Sequence, residues 1–253
     1  MILDIISVSD VGIIRTNNED MLFDGARFIR DDKHSFKLEL NLAETKIMFA
    51  IADGMGGHNA GELASDILLH EIINSFSAFT RENIYINDSE IKSFFDSEIK
   101  RIHKQLVDEG ISDLSKKGMG STFVALVIYK SKFYAINAGD SRLYRFRDGI
   151  LKQITKDHSY ASIFGEERAS SHLIYNAVGG GDKVFIDFTD ITSKIDDDDV
   201  LLLCSDGLSD MLDDEDIEEL MDKTGDIIDL IRGAKDAGGK DNISIIKIKI
   251  ELD

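Results

Sequence analysis

Proline and tryptophan are absent from the 253 residues, and cysteine occurs once, as Cys204. A single thiol excludes an internal disulfide and fits a reducing compartment. The missing proline has no functional consequence that we can name. Positive charge is scarce as well: 29 Lys and Arg stand against 48 Asp and Glu, a formal charge of −19. That balance repels phosphate backbones and anionic lipid, so nucleic acid and membrane surfaces are not expected as partners, whereas cations are favoured. No apolar run approaches the ~18 residues of a membrane span. The opening stretch MILDIISVSDVG has neither a basic region nor a long apolar core and does not read as a signal peptide. A soluble, cytoplasmic chain is expected. Repeats and Ser/Gly-rich linkers are also missing, so residues 1–253 read as one domain, long enough to bury a substantial core.

What is present is a series of strand-like runs: LDIISVS, KIMFAIA, STFVALVIYK, KFYAINAG, SRLYRFR, VFIDFTDI, DVLLLCS and ISIIKIKIEL. Short polar turns such as YKSKF and RFRDGIL join several of them, which implies antiparallel hairpins. Two amphipathic helical patterns lie between. Ala60, Ala64, Leu68, Ile72 and Phe76 form one stripe; Ile91, Phe94, Phe95, Ile99, Ile102 and Leu106 form the other. Each stripe is one-sided and should pack on a sheet. The pattern suggests antiparallel sheets covered by helices, an α+β fold.

Acids recur at the tips of these apolar runs. KIMFAIA runs into Asp53-Gly54, VLLLCS into Asp206-Gly207 and KFYAINAG into Asp140, while Asp241-Asn242 precedes the final strand. A carboxylate at a core edge is costly unless compensated, and several together repel one another unless cations sit among them. Oxygen-only sites select Mg²⁺ or Mn²⁺; zinc would call for His or Cys, and no HExxH-like spacing occurs among the six histidines. A lone Asp-Gly is ordinarily a turn, but four such tips favour metal binding. By the same standard Asp196–Asp199 reads as a solvated polar turn before its strand. Arg15, in a polar turn with Asn18, Glu19 and Asp20, is either a fork for phosphate or a surface partner of Glu19 or Asp20. The Gly-rich stretch Gly54-Met55-Gly56-Gly57 matches a dinucleotide fingerprint poorly, since Asn59 occupies the third glycine position and Asp53 would repel a pyrophosphate.

Taken in order, VGIIRTNNED, IADGMGGHNAGELAS, GMGSTFVALVI, INAGDSRLYRFRDG, QITKDHS, LLLCSDGLSD and GGKDNISII resemble the signature blocks of bacterial metal-dependent serine/threonine protein phosphatases, the type 2C or PPM family. The resemblance covers nearly the whole chain. It implies a four-layer α/β/β/α sandwich, two antiparallel sheets flanked by helices, with a metal site at one edge. It implies two Mg²⁺ or Mn²⁺ ions bridged by Asp53, with the Gly54 carbonyl, Asp206 and Asp241 as further ligands, and a third ion on Asp140 and Asp206. Glu19, Asp20 and Asn242 would stand behind these ligands, and Arg15 would hold the substrate phosphate. The implied reaction is hydrolysis of phosphoserine and phosphothreonine in proteins by a metal-activated water in line with phosphorus, which needs no covalent nucleophile. Implied partners are phosphorylated proteins, including a serine/threonine kinase or its substrates; the acidic surface disfavours acidic phosphosites.

The chain departs from the family pattern in three places. Met55 stands where some relatives carry a histidine proposed as general acid, which leaves His58 or a metal-bound water as candidates; a helix-entry contact accounts for His58 equally well. The flap, about residues 157–175, is short and lacks proline. Asn176 stands where relatives often carry arginine. A catalytically silent phosphatase-like module, regulatory or phosphoprotein-binding, is the alternative function.

Overall fold

Strands of this chain alternate their side chains between two faces, and the central ones find apolar partners on both. The computed structural model describes residues 1–56, 60–82, 86–165 and 173–252. The chain begins with β1 (Ile2–Asp10), β2 (Asp20–Phe23), β3 (Phe28–Ile29), β4 (Lys33–Glu39) and β5 (Lys46–Met55). Two long helices follow, α1 (Ala60–Glu82) and α2 (Asp88–Ser112). Then come β6 (Gly120–Ser121), β7 (Phe123–Tyr129), β8 (Lys132–Ala138), β9 (Arg142–Arg147), β10 (Ile150–Gln153) and the short α3 (Tyr160–Phe164). The rest is β11 (Asp187–Asp190), β12 (Val200–Cys204), α4 (Asp206–Ser209), α5 (Asp214–Lys223), α6 (Ile227–Asp236) and β13 (Ile243–Glu251).

The strands form two antiparallel sheets, in the orders β10-β9-β12-β13-β1-β4 and β11-β8-β7-β5-β2-β3, with β6 attached to β5. Strand β7 shows how the layers are made. All seven of its residues are buried. Val124, Leu126 and Ile128 face the other sheet, where Leu3, Ile5, Leu203 and Ile246 meet them. Phe123, Ala125, Val127 and Tyr129 face α1 and α2, against Ala64, Leu68, Ile72, Phe95 and Ile102. A strand covered on both sides reads as a continuous apolar run rather than an alternation. Each large side chain so buried contributes roughly 1.5–3 kcal/mol. On the outer face of the first sheet, Ile217, Leu230, Ile231 and Ala234 of α5 and α6 pack against Leu202, Ile243 and Ile245. The layers are therefore helix, sheet, sheet, helix, as the family resemblance implied.

Both helical stripes are buried as their spacing requires, although each helix extends beyond its stripe. Helix α2 starts at a capping box: Asn87 Oδ1 accepts the Glu90 N–H at 3.1 Å and Glu90 Oε2 accepts the Asn87 N–H at 2.8 Å. Such a cap typically stabilises by about 1 kcal/mol. In the RFRDGIL hairpin, Asp148 and Gly149 take φ of 51° and 75°, the two left-handed residues that a type I′ turn demands.

Two expectations need correction. VFIDFTDI is strand only over Asp187–Asp190, although Val184 and Ile186 are buried beside it. The run Asp196–Asp199 is not uniformly solvated. Asp199 is fully buried, because Arg147 meets its two carboxylate oxygens at 2.5 and 2.6 Å. A bidentate guanidinium offsets the desolvation that would otherwise exclude that acid from the interior.

Candidate active site

Antiparallel pairing carries the acids to one edge of the sandwich. Because β12 and β13 run antiparallel, the end of one lies beside the start of the other, with Cys204 opposite Ile245. Asp206, the first residue of α4, therefore stands next to Asp241-Asn242. The approach is close enough that a Cβ on Gly207 would lie 1.9 Å from the Asn242 carbonyl oxygen, so only glycine fits there. In the other sheet Asp20 pairs directly with Asp53 across β2 and β5. Gly54 meets helix α1 at its start: a Cβ there would lie 2.1 Å from the Gly61 carbonyl oxygen. Strand β8 ends beside the start of β7, which brings Asp140 to the same edge. Between these tips lies a cleft of about 520 Å³ whose walls include Arg15, Glu19, Asp53, Gly54, Asp140, Asp206, Lys240 and Asp241.

Hydrogen bonds hold the tips in place. The Asp53 N–H donates to Thr122 Oγ1 at 3.1 Å, and the Asp53 carbonyl accepts from Ser121 Oγ and from the Thr122 N–H. Thr122 Oγ1 is in turn 2.7 Å from Ser141 Oγ. Ser205 Oγ donates to Asp20 Oδ2 at 2.8 Å in a buried hydroxyl network with Ser244 and Ser9. Asn242 pins the turn that follows β1: its Oδ1 accepts the Glu19 N–H and its Nδ2 donates to the Val11 and Asn17 carbonyls. Arg15 Nη2 donates to Asp241 Oδ2 at 2.6 Å, and its Nη1 lies 4.0 Å from Glu19. Its nearest ion-pair partner is therefore Asp241, not Glu19 or Asp20. The supporting hydroxyls Thr122, Ser141 and Ser205 also escaped the sequence reading. Their position inside the family-like blocks is a signal, but their roles depend on neighbours across strands.

Burial is the main electrostatic force at this edge. It pushes the Asp53 and Asp206 carboxyls well above the ordinary range; Asp206, Asp20, Asp140 and Asp241 add repulsion at Asp53, and Asp140, Asp210 and Asp241 add it at Asp206. Burial raises Asp20 to about 6 despite its bonds from Ser205 and Ser244. It raises Asp140 to about 7, with Asp157 and Asp210 adding to the effect. Glu19 is raised by burial and partly restored by Arg15. Asp210 thus belongs to the acidic edge, although no role was read for it from the sequence.

Two observations bear on whether divalent cations fit here. Among the described residues, Asp206 Oδ1 and Asp20 Oδ1 are buried without a hydrogen-bond partner, an arrangement that costs about 1–3 kcal/mol or more unless something positive approaches. The acids lining the cleft offer hard oxygen donors, and no His or Cys lines it among the described residues. Among the described residues, no three His, Cys, Asp or Glu side chains close into a cage around one ion. The donor set fits hard cations by its chemistry.

Cys204 is buried in β12 with its thiol pushed up to about 12 by desolvation, unsuited to nucleophilic attack. His58 lies outside the described residues, as do residues 166–172 of the flap. The described flap is rooted at the acidic edge. The His158 N–H donates to the Gly139 carbonyl, the Tyr175 N–H donates to the His158 carbonyl, and Asn176 Nδ2 lies 2.7 Å from His158 Nδ1.

The family model for protein phosphatase 2C matches residues 28–234. The serine/threonine phosphatase stp of Listeria welshimeri is 30% identical over 258 residues, spanning 96% of this chain and 94% of the relative. Among solved structures, the serine/threonine phosphatase of S. agalactiae is similar with a TM-score of 0.79 and 28% identity, over 98% of this chain and 100% of that one. The catalytic domain of the serine/threonine protein phosphatase PstP, solved in complex with two manganese ions, is similar with a TM-score of 0.76 and 28% identity over 100% of both chains. With its sandwich fold and the family model matched over most of its length, this chain belongs to the protein phosphatase 2C family.

Proposed function

We propose that this chain hydrolyses phosphoserine and phosphothreonine esters in proteins and depends on Mg²⁺ or Mn²⁺ to do so. The observation that carries the reading is the gathering of Asp53, Asp140, Asp206 and Asp241 on one cleft, with a buried Asp206 oxygen unpartnered among the described residues and the Arg15 guanidinium on Asp241. Asp53, the Gly54 carbonyl, Asp206 and Asp241 hold two ions in this reading, and Asp140 with Asp206 holds a third. Bound there, such cations lower the pKa of water and offset charge gathering on the phosphoryl oxygens.

The protein's own groups do the rest. Arg15 presents its planar fork to the phosphate, which fixes the ester in the cleft and stabilises the charge that develops on it. Thr122 and Ser141 hold the Asp53 tip, and Asn242 holds the turn bearing Glu19. Asp20, bonded to Ser205, supports Asp53 from the facing strand. Residues 1–253 act as one catalytic domain. Substrates are phosphorylated proteins, including a serine/threonine kinase or its targets, and the setting is the cytoplasm; no described helix is long and apolar enough to cross a membrane.

The test is hydrolysis of a phosphothreonine peptide by the purified chain in Mn²⁺ and in EDTA, beside Asp206→Asn. Turnover that requires metal and vanishes in the variant supports the reading. A folded, metal-loaded chain with no turnover would favour a non-catalytic module.

A further inference from the structure

Among the described residues, Arg15 and Lys240 are the cationic side chains lining the cleft, and they are not equivalent. Arg15 is already bonded to Asp241 and faces Glu19. Lys240 is exposed and forms no ion pair among the described residues. Its backbone, however, is held firmly. Gly238 and Gly239 take φ of 133° and 52° where α6 ends, turning the chain back toward the cleft. The Ile13 and Ile14 N–H groups donate to the Gly239 carbonyl at 2.8 and 3.2 Å, and the Gly239 N–H donates to the Ala234 carbonyl at 2.9 Å. On the other side Asp241 is fixed by Arg15 and by the Asn242 N–H. The ammonium therefore swings on a flexible stem from a fixed point at the rim.

Building on the phosphatase reading, we propose that Lys240 is a specificity residue. It engages an aspartate or glutamate that flanks the phosphorylated residue of the substrate. A guanidinium matches a phosphate in two places, whereas an ammonium is a mobile point charge suited to a carboxylate whose position varies. The net charge of −19 by itself opposes acidic substrates. That field is largely screened beyond a Debye length of about 8–10 Å at ordinary ionic strength, while Lys240 acts at contact. At the mouth of the cleft the local cation decides.

The experiment compares the wild type, Lys240→Ala and Lys240→Glu on phosphothreonine peptides of one length, flanked by Ala, Asp or Lys, with Mn²⁺ present. The wild type should prefer the Asp-flanked over the Ala-flanked peptide by about two- to fivefold in kcat/KM, the range of an exposed ion pair, with the difference in KM. The ratio should fall to about one in Lys240→Ala and invert in Lys240→Glu, which should favour the Lys-flanked peptide. High salt should erase all of these preferences. A ratio unaffected by either substitution would overturn the proposal. So would an equal loss on all peptides, which would place Lys240 on the scissile phosphate itself. No turnover of any peptide would instead overturn the phosphatase reading, and this proposal with it.

Discussion

The Arg15 guanidinium lies 2.6 Å from the Asp241 carboxylate, joining the turn after β1 to the residue pair before β13. One cation of the cleft lining is thus bonded to a candidate metal ligand. Arg15→Ala should raise KM for a phosphopeptide by about tenfold or more, the worth of a hydrogen bond to a charged group. The Mn²⁺ concentration for half-activation should not rise, because Asp241 loses a competitor for its charge. Initial-rate kinetics at varied peptide and Mn²⁺ decide it; an unchanged KM removes Arg15 from the phosphate site.

Asp206→Asn should lower turnover by about 10²–10³ or more, as loss of a principal electrostatic group does. In EDTA the same variant should melt about 2–4 °C higher than the wild type, since it relieves repulsion worth roughly 1 kcal/mol. Calorimetry in EDTA is the check. A lower melting temperature would mean that Asp206 stabilises the fold without metal.

The raised carboxyls also set a pH dependence with a definite sign. Asp20 at about 6 and Asp140 at about 7 hold protons in the folded chain that the unfolded chain, near the ordinary 3.8, has released. Between about pH 4 and 7 the folded state binds more protons, so its stability falls as pH rises through that window. In EDTA the chain should melt higher at pH 5 than at pH 8, and saturating Mn²⁺ should narrow the gap from the high-pH side. A melting temperature that rises with pH in EDTA would contradict the electrostatics described for this edge.

Thr122→Val keeps the volume but removes the oxygen that accepts the Asp53 N–H and meets Ser141. Leaving that buried donor unpaired should cost about 1–3 kcal/mol and lower kcat through displacement of the Asp53 tip. Thr122→Ser should recover both. If Thr122→Val lost stability but kept kcat, the hydroxyl would be holding the fold and not the site.

Within the acidic run, Asp197→Asn and Asp198→Asn should leave stability within about 0.5 kcal/mol. Asp199→Asn breaks the bidentate pair with Arg147 and should cost about 1.5–3 kcal/mol with activity retained. Denaturant titration separates the three.

That run also shows what could and could not be read from the sequence. Asp196 to Asp199 look alike in order. Only the pairing of β12 with β9, in which Val200 lies opposite Phe146, brings Asp199 to Arg147. Register is a tertiary property, so the buried member of the four was hidden. The two long helices were legible because their stripes span several turns. Helix α5 buries only Ile217 and Met221, and β3 is two residues long, so neither leaves a period to detect. Acids at the ends of apolar runs were conspicuous because core edges rarely hold them. Thr122, Ser141 and Ser205 were not, since a hydroxyl is ordinary anywhere in a chain and gains meaning only from what it touches.

Strand β13 follows the other described strands in sequence, yet it lies between β12 and β1 in the interior of its sheet. During synthesis, β1 can pair with β4 and β12 with β9, but each keeps one open edge until residues up to about Glu251 have left the ribosome. Asp241 arrives with that same segment, so the cleft is completed by the step that closes the sheet. A chain ending before Asp241 would keep Asp53, Asp140 and Asp206 but lack the fourth acid of the cleft, and its two open strand edges would be templates for pairing with other chains.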